Sequence, residues 1–299
     1  MEDGWSLAII LIKAGLYATS FVSAGTGLFL ITVRPNGPTI HGPTRLFSGF
    51  FSLIALAFLA LHVAVQTGFL ADEGFAGMVD RDMINIILEG PLGLSSKVLL
   101  LGLLAILLVS FIPIGAVYGW VAGIGALFVV ISFTLIGHTT GTNIPVSSGL
   151  IALHLFAVSF WLGALWPLYR LARQNKADEL IDAAETFGKQ AMIIVPALLV
   201  AGLVLSVLLV GSVTTLFATT YGLLLLGKIA LVILLLSLAA LNKYRFIPAL
   251  KENEPEALTH FTRSVRLEVL LFSGILLICL LYTSPSPRDQ RGSRMPSSA

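Results

Sequence analysis

Long apolar runs broken by short polar segments form the pattern of this chain. Eight of them approach or exceed the roughly 20 mostly apolar residues that a helix needs to cross a bilayer: residues 5–33, 47–70, 95–112, 116–137, 147–169, 192–211, 216–241 and 265–281. In hydrocarbon a backbone must satisfy its own hydrogen bonds, and runs of this length do so as helices. The expected fold is therefore all-α, a polytopic integral membrane helix bundle of about eight transmembrane helices. Only Pro113, Ile114 and Gly115 separate the third and fourth runs, which predicts a tight turn. Residues 82–89, Asp-Met-Ile-Asn-Ile-Ile-Leu-Glu, suit a short helix lying flat at an interface. The first run is too long, and lacks the basic leading segment, for a cleaved signal peptide.

Composition agrees with the pattern. The chain is 57% hydrophobic and 11% charged, with a mean hydropathy of +0.94, whereas soluble domains carry about 25% charged residues. A formal net charge of +2 on such a chain gives no reason to expect a nucleic-acid partner; the partner that the composition demands is the lipid bilayer. The placement of charge is more telling than its sum. Arg34 and Arg45 follow the first run, Arg170, Arg173, Lys176 and Lys189 follow the fifth, and Lys243, Arg245, Lys251, Arg263 and Arg266 follow the seventh. Asp72, Glu73, Asp80, Asp82 and Glu89 dominate the segment after the second. Basic loops stay on the cytoplasmic side, so both termini are expected outside.

Three histidines then fall at related depths. His62 lies about 12 Å below the outer end of the second run, and His154 about 10 Å into the fifth, at 1.5 Å per residue. His138 closes the fourth run at the outer interface. Each alone is as readily a hydrogen-bonded interhelical side chain. As a set at shared depth they suit a transition-metal site, since neutral imidazole binds copper and zinc. A bis-imidazole haem b between His62 and His154, in an electron carrier, is the alternative. Met78 and Met83 in the acidic outer segment offer thioether ligands to cuprous copper, or serve simply as apolar anchors. His41 and His260 are expected in internal loops. Lys13 lies close enough to its run's end to snorkel, whereas Lys228 sits deeper. Pairing of Lys228 with Glu268 is disfavoured by their opposite depths. Trp161 and Trp166 read as packing or interfacial residues. Ser20, Ser23, Ala24, Gly25, Thr26 and Gly27 read as a small-residue face for close helix packing.

No phosphate loop, Walker pattern, Ser/His/Asp arrangement or paired carboxylates occur in a plausible pocket. The chain is expected not to be an enzyme, and active pumping would need an ion gradient or a partner. With one cysteine, Cys279, neither a disulfide framework nor a CxxC site is possible.

The residues His154…Trp161-Leu162-Gly163-Ala164-Leu165…Pro167-Leu168 resemble the signature of the CopD copper-resistance family of inner-membrane proteins. The resemblance extends to Gly137-His138, to Tyr221-Gly222…Gly227-Lys228…Asn242-Lys243-Tyr244-Arg245, and to Arg263-Ser264-Val265…Glu268. It implies copper transport or import across the bacterial cytoplasmic membrane, with copper, Cu(I) or Cu(II), as the ion and a periplasmic CopC-like copper-binding protein as partner. A scaffold that helps to metallate an oxidase is a further reading. No fused CopC-like domain is visible in the sequence.

Residues 1–278 are read as the CopD-like transmembrane domain. From Cys279 the composition turns abruptly to Ser, Pro and Arg. Residues 279–299 are read as a disordered or non-native tail that looks like translated sequencing-adapter read-through. Resequencing of the locus is expected to diverge after about Ile278.

Overall fold

A computed structural model of the chain describes residues 2–33, 38–72, 74–113, 115–136, 144–210, 217 and 219–283. The apolar runs are helices: α1 (Glu2–Thr32), α2 (Pro38–Ala71), α4 (Pro91–Val109), α5 (Ala116–Thr134), α6 (Ile144–Arg173), α7 (Ala177–Val210), α8 (Thr220–Leu241) and α10 (Ala257–Thr283). Between α2 and α4 lie a 3-10 turn (Ala76–Val79) and the nine-residue α3 (Arg81–Glu89); α8 continues into a π turn (Asn242–Phe246) and the short α9 (Ile247–Lys251). No strand occurs among the described residues.

Seven of these segments are long and apolar enough to cross a membrane, by length and composition. The eighth expected span, 265–281, is helical within α10. Several helices also run further than the apolar pattern alone suggests. Residues expected in internal loops are helical extensions: His41 lies on α2, Lys189 on α7 and His260 on α10. The link between α6 and α7 is only residues 174–176, where Asn175 adopts a left-handed conformation (φ 55°) and Lys176 N–H donates to Leu171 O. That is the hydrogen-bonded stop of a helix C-terminus, and a polar helix continues beyond it because Asp178 and Glu179 occupy its first turn.

The alternating helices define two ends of the bundle. At one, Trp5 meets Phe75, and Asp80 caps α3 by accepting from the N–H groups of Asp82 and Met83 at 2.9 and 3.1 Å. At the other, Arg45 donates to the carbonyl of Ile112 just beyond α4, and Lys251 pairs with Glu185. A cation at a helix C-terminus complements the carbonyl dipole there. These are the α3 end and the basic end. Asp80→Ala should remove about 1 kcal/mol of cap stability and speed amide exchange across α3 without altering that of α4. Unchanged exchange in α3 would contradict the cap.

α1 is the central staff. It packs against α2, α5, α6 and α10. On one side Leu16, Phe21 and Leu28 of α1 join Leu99, Leu103 and Val129 of α4 and α5 in one buried cluster. On the other, Phe29 and Leu30 join Trp161, Leu165, Leu168 and Phe272 in a second. Small polar residues close the α1–α2 seam: Ser23 Oγ donates to Ser48 O at 2.9 Å, and Ser48 Oγ returns the bond to Ser23 O at 2.8 Å. α7 and α8 are peripheral, since 11% and 6% of their most apolar windows are buried, against 44% for α4.

Candidate metal centre

The polar groups inside the apolar bundle gather at two levels. Nearer the α3 end lie His62, nine residues before the end of α2, and His154, ten residues after the start of α6. Those offsets place both about 13–15 Å from that end. His62 is 6% exposed, and Lys13 of α1 is the charged group nearest in influence to it. His154 faces α7, where Gly202 leaves room for the ring: a Cβ at that glycine would lie 3.4 Å from His154 Cε1. Lys228 of α8 bears on His154 electrostatically, and the Leu198 backbone lies alongside. The Nδ1 atoms of His62 and His154 are both buried without a hydrogen-bond partner of good geometry. An orphaned buried nitrogen costs free energy unless something fills it.

His62 lies on α2 and His154 on α6, and α1 packs against both helices. Among the described residues no group of three or more His, Cys, Asp or Glu side chains is assembled to hold a metal. His138, the third member of the expected set, lies outside the described residues. Met78 is half-buried at the mouth of the α3 end, packed on Gly68, with Trp5 beside it. Met83 is half-buried on α3.

The lysines have partners. Lys13 Nζ lies over the Tyr17 ring, 5.9 Å from its centroid. Lys228 Nζ donates to Cys279 Sγ at 3.4 Å, so it is turned away from Glu268, as their depths require.

The second level lies toward the basic end and was not legible as a site. Glu268 of α10 is 2% exposed. Trp161 Nε1 on α6 donates to its Oε2 at 3.1 Å, and Asn242 Nδ2, the first residue of the π turn, donates to its Oε1 at 2.6 Å. Trp161 is thus a polar partner as well as a core residue, 4% exposed and edge-on to Phe272 at 5.5 Å. The available signal was the presence of an indole, a carboxyl and an amide in three separate apolar runs, each needing a partner. Trp166, by contrast, stacks on Phe47 at 4.0 Å and carries the Arg170 guanidinium over its ring.

A multi-pass helical membrane protein with buried imidazoles at one level and a buried carboxyl at the other is the class that this architecture defines. Residues 181–281 match the copper resistance protein D (CopD) family. Among curated proteins, the chain is 27% identical to inner membrane protein YebZ of Escherichia coli over 51% of this chain and 54% of that protein. It is 30% identical to copper resistance protein D of Pseudomonas syringae pv. tomato over 43% of this chain and 44% of that protein. It is 25% identical to copper transport protein CutJ of Bacillus subtilis over 93% of this chain and 52% of that protein. The chain spans about half the length of the curated relatives it matches. No solved structure matches it. The chain is a multi-pass membrane protein that is similar to the CopD family over residues 181–281.

Proposed function

We propose that this protein carries copper inward across the bacterial inner membrane, and that His62 and His154 supply imidazole ligands on the way. The observation that carries the reading is the pair of buried imidazoles at similar depth, His62 Nδ1 with no hydrogen-bond partner and His154 Nδ1 with none of good geometry beside the Leu198 backbone. Neutral imidazole with an open lone pair is a ligand for copper. The names of two relatives, copper resistance protein D and copper transport protein CutJ, support copper as the ion, and that of inner membrane protein YebZ supports the location. The copper is cargo in this reading, and the protein is a transporter rather than an enzyme.

The α3 end is the receiving face, in keeping with the basic charge at the other end. Asp72, Asp80, Asp82 and Glu89 there attract a cation, and Met78 and Met83 offer it soft first contacts; His138, outside the described residues, is a further candidate ligand. A periplasmic CopC-like protein is the expected donor. The test is cellular copper content, measured in cells that make equal membrane levels of wild type and His154→Ala. Wild type should raise copper per cell and sensitivity to added copper, and His154→Ala should abolish both gains. Equal copper content in the two strains would overturn the role given to His154.

A further inference from the structure

The histidine level does not use Glu268, and that carboxyl has surroundings that call for a ligand of its own. It lies 11 residues into α10, about 16 Å along the helix, and is 2% exposed. A bare carboxylate in such a place is expensive unless a cation pairs with it. Among the described residues no ion pair involves Glu268; its recorded partners, Trp161 and Asn242, are both neutral.

The cationic and titratable groups on the elements packed against α10 point elsewhere. On α1, Lys13 lies over Tyr17. On α6, His154 faces Gly202 and Arg170 lies over Trp166, while Tyr169 takes both bonds from Arg266. On α8, Lys228 donates to Cys279; in the π turn Lys243 lies over Tyr244; on α9, Lys251 pairs with Glu185. On α10 itself, His260 pairs with Glu256 and Arg263 is exposed, as is Arg245 of the π turn.

Two further details identify the missing species. The Asn242–Glu268 separation of 2.6 Å is shorter than the usual N–H···O length of about 2.9 Å and fits an O–H···O bond of about 2.7 Å. The two amide atoms of Asn242 exchange places by a half-turn of the side chain. Turned over, the amide presents Oδ1 to a carboxyl proton, at O–H···O length. Ser264, one turn before Glu268 on the same face, is 3% exposed and its Oγ is without a partner. Its neighbours on α10 behave differently: Thr262 and Ser273 bond back to the carbonyls of Leu258 and Val269.

We propose that Glu268, with Asn242 as hydrogen-bond acceptor, is a proton-binding site within the membrane, loaded from the basic end of the bundle. An O–H bond forms at Oε1 with a proton from the aqueous phase and breaks to return it, and nothing else changes covalently. Trp161 holds the other carboxyl oxygen. The Trp161 N–H aimed at that oxygen disfavours a metal cation there. The π turn that Asn242 opens is a place where helix hydrogen bonding is already loosened, and half-buried Asn242 links the carboxyl to that end. The site stands or falls independently of copper.

The test is infrared difference spectroscopy of the full-length reconstituted protein as pH is raised. Wild type should show the carbonyl band of a buried protonated carboxyl that disappears at higher pH. Glu268→Gln should lack the band, and Asn242→Leu should shift its frequency by removing the acceptor. Identical spectra for wild type and Glu268→Gln would overturn the site, as would a change driven by added sodium at constant pH. Trp161→Phe keeps the acid and guards against a Glu268 variant that does not fold. Its band must shift, and an unshifted band would also overturn the proposal.

Discussion

Gly163→Ala is expected to abolish recovery of folded protein. At this position α6 crosses α1 backbone to backbone: a Cβ on Gly163 would lie 1.9 Å from Gly25 C and 2.3 Å from Thr26 N. The contact is reciprocal, because a Cβ on Gly25 would lie 1.8 Å from Ser159 O. Non-bonded carbon atoms sit about 3.5–4.0 Å apart, so the helices would have to part by roughly 1.5 Å or more. Overpacking usually costs about 1–3 kcal/mol because side chains can yield. Here backbone meets backbone and nothing can rotate away. Parting α1 from α6 also breaks the Thr26–Gly163 contact at 3.4 Å and opens the cluster of Phe29, Leu30, Trp161 and Leu165. The measurement is the folded fraction in detergent by size exclusion, followed by thermal unfolding. Gly149→Ala on the same helix is the control: nothing lies within 4 Å of its Cβ, and alanine favours a helix by up to about 1 kcal/mol. Wild-type yield from Gly163→Ala would mean that the crossing is not as close as described.

That crossing also shows what sequence reading could reach. The small-residue stretch Ser20 to Gly27 was legible as a packing face, since small side chains in an apolar run have few other uses. Its partner was not, because the close approach is set by Gly163, which stood in the Trp161–Leu168 stretch as part of a family resemblance without a physical role. The structure divides that stretch by function. Trp161 holds Glu268, Gly163 admits α1, and Leu165 and Leu168 fill the core between α1 and α10.

The helical character of the apolar runs followed from their length, which backbone satisfaction in lipid makes dependable, and residues 82–89 were legible as a short helix, seen as α3. Helix ends were less legible. α7 and α10 begin with polar turns that hydropathy assigns to loops, although charged residues propagate a helix in water perfectly well. Among the site residues, the depths of His62 and His154 could be counted from the ends of their runs. Their facing could not, because a one-residue step on a helix turns a side chain by about 100°. Glu268 was visible as a charge in a span, but the partner considered for it was a lysine. The actual partners are an indole and an amide, side chains whose polar atoms carry no formal charge to attract notice.

The second large effect should come from Trp161. Trp161→Ala removes the bulk that meets Phe272 edge-on at 5.5 Å and takes away one of the two recorded bonds to the Glu268 carboxyl. Removal of a buried large aromatic costs about 3–5 kcal/mol through lost contact and cavity, and a carboxyl stripped of a donor adds to that. Trp161→Phe separates the two contributions. It keeps much of the ring packing and loses the N–H, so its cost should fall near the upper range of interhelical hydrogen bonds in membranes, about 1–2 kcal/mol. In a Glu268→Leu background the same Trp161→Phe change should cost much less, because the donor no longer has a carboxyl to serve. Unfolding of the four proteins in one lipid mixture gives the coupling, and directly bonded residues should show about 0.5–3 kcal/mol of non-additivity. Additive costs would mean that Trp161 acts by packing alone and that the carboxyl is held by Asn242. A positive coupling, with the aromatic contact retained in Trp161→Phe, would identify the indole N–H as the group that fixes the carboxyl between α6 and α10.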